Sequence, residues 1–359
     1  MLVTNLLSPP ASGGRHLLCQ LNHDLLQDIL GAKLVVFRLP QRRLRGLRAV
    51  LGAFSGHIDG LDGKVKSQLC KTIEAERIGT VFIDGSNLGE VANTVKRSCP
   101  GTKVISFFHN VESRFFLGAL RQSRSPRALG VLAVNYLAER KAVQYSDKMV
   151  CLSERDSAQL KKVFGRRATH VAPMALVDSV PPGFLASAGS GPGSYALFVG
   201  ADFYANRAGI TWFIERVAPH IGIKTCIVGR GLEDMRQQMI DRPGVEFVGE
   251  VVSVADWYRD ALLVIAPIFD GSGMKTKVAE AMMFGKRVVG TPEAFSGYDE
   301  VANEVGWVCS TAEEFIRAIE SAQSGLTLRF QPDIRQLYDQ AYSYTAARAR
   351  LVEILGVPA

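Results

Sequence analysis

The sequence predicts an α/β chain made of two doubly wound parallel-sheet domains, and three observations carry that expectation. Short apolar runs alternate with helical patterns along both halves of the chain. A Pro-, Gly- and Ser-rich stretch, SVPPGFLASAGSGPGS at 179–194, separates the halves. The 359 residues, 47% of them hydrophobic, suffice for two cores. The expected organisation is a first domain over 1–178, a linker or hinge over 179–194, a second domain over 195–331 and a terminal helix over 332–359.

In the first half, apolar strands are expected near 2–6, 33–37, 81–83, 104–108 and 148–152. Gly13 and Gly14 lie between the first strand and a helix and are followed by Arg15 and His16. A glycine turn at the carboxyl end of a strand is where open α/β sheets bind ligands, while a simple helix start is the plainer reading. The run VISFFHNVE ends a hydrophobic strand in His109 and Asn110. A polar pair there is a candidate site, with a satisfied structural histidine as the alternative. Glu139 falls in mid-helix and Ser153 with Asp156 forms a helix cap, so these are assigned to structure, with contact on the acceptor side as the alternative for Glu139.

In the second half, Gly200 ends a strand, and Asn206 and Arg207 precede a helix over 208–217. Arg207 is a candidate diphosphate contact because its planar fork matches phosphate oxygens. Gly229-Arg230-Gly231 ends the next strand, and Val248, Gly249 and Glu250 end the one after. The most informative segment is VIAPIFDGSGMKTKVAEAMMFGKRVVGT at 264–291. Its apolar strand stops at Pro267, and Gly271, Ser272, Gly273 and Met274 make a turn into a helix over 275–284. Free N–H groups and the positive dipole end at such a helix start favour a phosphate, and Lys275 and Lys277 add charge. Glu280, about one and a half turns along, lies within reach of a ribose hydroxyl pair. The plainer reading is a tight turn with solvated lysines.

The blocks from Tyr195 to about 310, taken in order, resemble the carboxy-terminal domain of the retaining glycosyltransferases of family 4 (glycosyl transferases group 1). That resemblance implies the GT-B fold: two Rossmann-like domains facing a cleft, with a C-terminal helix crossing back. It implies transfer of a hexose-type residue from a nucleotide diphosphate sugar to a glycan or lipid-linked acceptor, retaining and metal-independent, with no cofactor. Bacterial surface polysaccharide or glycolipid synthesis is the pathway it suggests. His109, Lys275 and Glu280 become the catalytic candidates. Gly13, Gly14, Arg207, Gly271, Ser272, Gly273, Met274 and Lys275 become donor-phosphate candidates. Arg230, Val248, Gly249 and Glu280 frame the base and ribose, and Arg15, His16 and Asn110 lie on the acceptor or sugar side. Two positions depart from the pattern. Of the family's two acids separated by seven residues only Glu280 remains, Ser272 standing for the first with Asp270 two residues earlier. Ala201 stands where a basic residue is common. A nucleotide-sugar epimerase of the same fold and a catalytically degenerate nucleotide-sugar or glycan-binding protein remain alternatives.

Charge divides unevenly: residues 1–185 carry 26 Lys+Arg against 14 Asp+Glu, and the remainder 16 against 21. The densest basic cluster is Arg42, Arg43, Arg45 and Arg48, beside Leu44, Leu47 and Leu51 on a shared helical face. It reads either as a surface for anionic lipid headgroups or as a solvated helix face. No nucleic-acid recognition module is visible. No apolar run is long enough to span a bilayer and the start lacks the basic flank of a secretory signal, so the expected location is cytoplasmic, with a peripheral position on the inner membrane face if the basic cluster binds lipid. Six scattered cysteines without metal-like spacing are expected to be reduced core residues.

Overall fold

The computed structural model describes residues 1–5, 7, 14–40, 51–58, 60–184, 191, 193–235, 243–271 and 273–358, the side chains of residues 122 and 123 excepted. Gly13, Arg42, Arg43, Arg45, Arg48 and Ser272 lie outside the described residues. The chain divides into two compact units, Met1–Met174 with Ala347–Ala359, and Ala175–Ala346.

The first unit is built on six strands, β1 (Leu2–Thr4), β2 (Val36–Arg38), β3 (Thr80–Asp84), β4 (Lys103–Phe108), β5 (Lys148–Cys151) and β6 (His170–Val171). They lie in the order β2-β1-β3-β4-β5-β6 and every pairing is parallel. Parallel strands need crossovers, which here are mostly helices. Gly63–Ala75 and Gly89–Ser98 cover one face: Val65, Leu69, Ile73, Val91 and Val95 pack with Val81, Ile83 and Val104 in one buried cluster. Each such side chain contributes about 1.5–3 kcal/mol by leaving water. A second cluster joins Phe108, Ala142, Val143, Met149, Cys151 and Leu160.

The second unit repeats the plan with β7 (Tyr195–Val199), β8 (Lys224–Val228), β9 (Val245–Gly249), β10 (Ala261–Ala266), β11 (Val288–Gly290) and β12 (Gly306–Val308). Their order is β12-β11-β10-β7-β8-β9, again all parallel. All six residues of β10 are buried, the continuous apolar run of a strand covered on both faces. Lys286, 1% exposed, is part of this core: its ammonium donates to the carbonyls of Arg259 at 3.1 Å, Ala261 at 2.7 Å and Arg329. Burial pulls it down to about 7.

In both sheets the chain reverses its direction of progress once, between β1 and β3 in the first and between β7 and β10 in the second. Ligands of open α/β sheets bind outside the carboxyl ends of the strands at that switch point.

Two expectations need correction. The helix after β7 starts at Tyr204, not at 208, so Asn206 and Arg207 belong to its first turn. The expected single terminal helix is three pieces: Pro332–Leu337, a π-helical turn Tyr338–Tyr342, and Tyr344–Leu355 after extended Ser343. Tyr338 donates to the Leu176 carbonyl at 2.8 Å, which ties the π-helical turn to the rest of the second unit. All six cysteines are free, five of them buried. No helix among the described residues is long and apolar enough to cross a membrane.

Candidate functional site

At the switch point of the first unit, Asp84 closes β3 and is fully buried. A carboxylate there needs donors, and the neighbouring strand ends supply them. Thr4 Oγ1, at the end of β1, donates at 3.1 Å, and Asn22 Nδ2, from helix Gly14–Leu30, donates at 2.9 Å. His109 Nε2, just past β4, lies 2.8 Å from Asp84 Oδ1. Burial opposes the charged form of Asp84, but the attraction and hydrogen bond of His109, with bonds from Cys19 and Asn22, hold its pKa at about 2.

Around this network stand buried polar atoms with no hydrogen-bond partner: Asn5 Oδ1, Arg15 Nε, Ser86 Oγ, His109 Nδ1 and Asn110 Oδ1. They are five of nine such atoms among the described residues, so unmet hydrogen-bonding capacity concentrates at this one rim. Arg15 is fixed by donating from Nη2 to Asn87 Oδ1 at 2.7 Å. The structure thus groups Arg15, His109 and Asn110 at the strand ends, with partly buried His16 on the same helix turn as Arg15 and exposed Gly14 opening that helix.

Glu139 has the structural role expected of it. It accepts from the backbone N–H groups of Glu112 at 3.0 Å and Ser113 at 3.1 Å and from the Ser113 hydroxyl, capping the helix that follows Asn110. Burial pushes it up to about 7. Ser153 caps its helix, accepting from Asp156 N at 3.1 Å.

Cys19, Asp84 and His109 form the one group of potential metal ligands found among the described residues. Asp84 Oδ1 already pairs with His109 Nε2, and burial raises the Cys19 thiol far above its usual range, so the trio reads as a hydrogen-bond network.

In the second unit the switch point is lined by glycines and a turn. A Cβ on Gly229 would meet the Gly200 carbonyl oxygen at 1.8 Å, and one on Gly209 the Pro267 oxygen at 1.7 Å, so backbones touch where larger residues would hold them apart. From Pro267 the chain turns through Gly271 (φ +130°) and Gly273 (φ +66°), past buried Met274, to Lys275 at the N-cap of helix Thr276–Met283. Lys275 Nζ donates to Gly273 O and pairs with Glu293 Oε1, both at 2.9 Å. Asp270 accepts from Gly271 N at 2.7 Å and from the Tyr204 hydroxyl at 3.2 Å.

Lys277 is buried, with Nζ 2.9 Å from Asn206 Oδ1 and 4.0 Å from the Phe198 ring centre. Burial lowers its pKa to about 7. Glu280 accepts from Tyr258 OH at 2.8 Å, and burial raises its pKa. Arg207 makes a two-pronged pair with Asp202 and also donates to Gly231 O at 3.1 Å. Arg230 is exposed at the end of β8, 4.0 Å from Glu250, and Val248 and Gly249 end β9 beside it. The turn therefore gathers Gly271, Gly273, Met274 and Lys275 at one helix start, and Lys275, Arg207 and Glu280 are each engaged by a protein partner, Glu293, Asp202 and Tyr258 respectively.

This geometry offers two chemistries: a rim of unpaired polar atoms suited to a ligand rich in hydroxyls, and a glycine turn at a helix N-terminus suited to an anion. Residues 193–324 match the family model of glycosyl transferases group 1. That match contains the whole second switch point. Comparison with curated protein sequences finds no match. Among solved structures, sucrose-phosphate synthase from Thermosynechococcus elongatus aligns with a TM-score of 0.69 at 13% identity, covering 99% of this chain and 97% of that one. Anabaena Alr3699/HepE in complex with UDP-glucose aligns at 0.63 and 13%, covering 99% and 98%. The lipopolysaccharide outer core galactosyltransferase WaaB aligns at 0.65 and 12%, again covering 99% and 98%. At these identities the likeness establishes the architecture, GT-B.

Sequence reasoning did not single out Asp84, Asn22, Tyr258 or Glu293. Asp84 carried a signal, as a charged residue closing an apolar strand immediately before a glycine. Tyr258 and Glu293 lie far in sequence from the groups they bind and carried none.

Proposed function

We propose that the chain is a GT-B glycosyltransferase that moves a hexose-type residue from a nucleotide diphosphate sugar to a hydroxyl of a glycan or lipid-linked acceptor. The observation that carries this reading is the 267–275 turn: it sits at the switch point of a sheet whose sequence matches glycosyl transferases group 1. The diphosphate would lie against the helix start at Thr276, with Lys275 as the nearest cation and Glu280 toward the ribose. Arg207 joins them only by releasing Asp202. Alr3699/HepE, crystallised with UDP-glucose, supports a nucleotide-sugar donor.

In the proposed reaction the bond from the anomeric carbon to the phosphate oxygen breaks while the acceptor oxygen attacks the same face. The acceptor proton passes to the departing phosphate oxygen. Configuration is retained, no protein nucleophile takes part and no metal is required. Negative charge growing on the leaving group is stabilised by the fixed dipoles of the turn and by Lys275. His109 and Asn110 hold sugar or acceptor hydroxyls, with Arg15 and His16 on the acceptor side. Excess positive charge in residues 1–185 supports a position on an anionic membrane surface, through Arg42, Arg43, Arg45 and Arg48.

The test is incubation with a panel of nucleotide sugars, following nucleoside diphosphate release with and without candidate acceptors and reading product configuration by NMR. Release coupled to a new glycosidic bond supports the proposal, and conversion of the donor sugar without acceptor indicates an epimerase. Binding without turnover indicates a degenerate binding protein, a reading favoured by the engagement of Arg207 with Asp202.

A further inference from the structure

We infer that Asp84 is a positioning residue that pins the His109 ring, keeping Nε2–H directed at itself and leaving Nδ1 as the atom that receives a ligand hydroxyl. The inference deepens the glycosyltransferase reading and rests on it for the identity of that ligand.

Three observations meet here. Asp84 accepts hydrogen bonds from Thr4 and Asn22 as well as facing His109, so its carboxylate is held from three sides and cannot swing away. An ionised carboxylate only accepts, so the imidazole nitrogen facing it must carry the proton. The opposite nitrogen, Nδ1, is buried and unpartnered although the histidine is 94% buried, since its exposure is 6%. A hydroxyl both donates and accepts, so it pairs with Nδ1 whether the ring is neutral or cationic. Asn5 Oδ1, Ser86 Oγ and Asn110 Oδ1, also unpartnered, extend the same demand across the neighbouring strand ends. A ligand with several hydroxyls on a compact frame, as a sugar ring has, meets it.

Asp84 would act only through His109, which makes the inference separable from a purely structural role. Nitrogen-15 NMR of the histidine rings in the ligand-free protein should show His109 protonated at Nε2, with that assignment lost in Asp84→Leu, which offers no acceptor to the ring. An unprotonated Nε2, or a ring state unchanged in the variant, overturns the inference. Because this arm needs neither ligand nor turnover, it stands even if no nucleotide sugar is consumed and the glycosyltransferase reading itself fails. The second arm is a double-mutant cycle on kcat/KM with the best donor from the panel. Asp84→Asn and His109→Gln should each cost about 10–100-fold, the scale for losing a carboxylate that orients a functional imidazole. In the His109→Gln background Asp84→Asn should cost less than about threefold. Additive losses would show that Asp84 acts independently of His109 and overturn the positioning role.

Discussion

Lys277 holds its ammonium 2.9 Å from Asn206 Oδ1, joining the first turns of helices Thr276–Met283 and Tyr204–Arg216. The pair braces the β10 turn against the β7 end; Asn206 in turn donates to the Ala201 carbonyl at 2.8 Å.

That pair predicts a pH dependence. Burial lowers Lys277 to about 7 from 10.5. Between those values the unfolded chain binds a proton that the folded chain does not, so this residue makes folding more favourable as pH rises, by up to about 1.4 kcal/mol per pH unit. Lys277→Met removes the effect. In urea unfolding, the stability of the unsubstituted protein relative to Lys277→Met should grow from pH 7.5 to pH 9; a constant difference contradicts the buried, depressed lysine.

Lys275 is placed to offset charge as the diphosphate departs. Lys275→Ala should lower kcat about 10–100-fold, with a smaller change in donor affinity. Wild-type turnover would assign Lys275 solely to its pair with Glu293.

Glu280→Gln keeps an acceptor for the Tyr258 hydroxyl, so the fold should persist while nucleotide affinity falls about tenfold through loss of a charged hydrogen bond to ribose. Unchanged affinity by calorimetry would make Glu280 structural, the partner of Tyr258 and nothing more.

Gly229 has φ +148° and no room for a methyl group, so Gly229→Ala should cost about 2 kcal/mol or more in denaturant unfolding. A variant of wild-type stability would mean that the β7 and β8 ends separate easily.

Much of this was legible in the residues. The β10 run and the glycine turn after it marked a strand end at a helix start, and His109 and Asn110 stood out as polar residues ending an apolar strand. What the pattern hid was partnership. Lys277 and Lys286 look like solvated cations in a linear reading, yet both ammonium groups are buried, one against Asn206 and one against three carbonyls. Arg207 has the chemistry for phosphate but meets Asp202, only five residues earlier, a pairing that arises because the β7–helix loop folds back on itself. The break at Ser343 leaves no mark in the pattern because Leu337, Ala341, Tyr344, Ala347 and Leu351 keep steps of three and four residues across it.

The most direct test of the account is thermal denaturation with UDP, GDP, ADP and their common sugar conjugates, comparing the unsubstituted protein with Lys275→Ala. A ligand held at a hundredfold over its Kd stabilises the fold by about 2.7 kcal/mol. The account predicts a rise in Tm with one base, and a smaller rise at the same concentration in Lys275→Ala. No shift with any nucleotide or nucleotide sugar would contradict it.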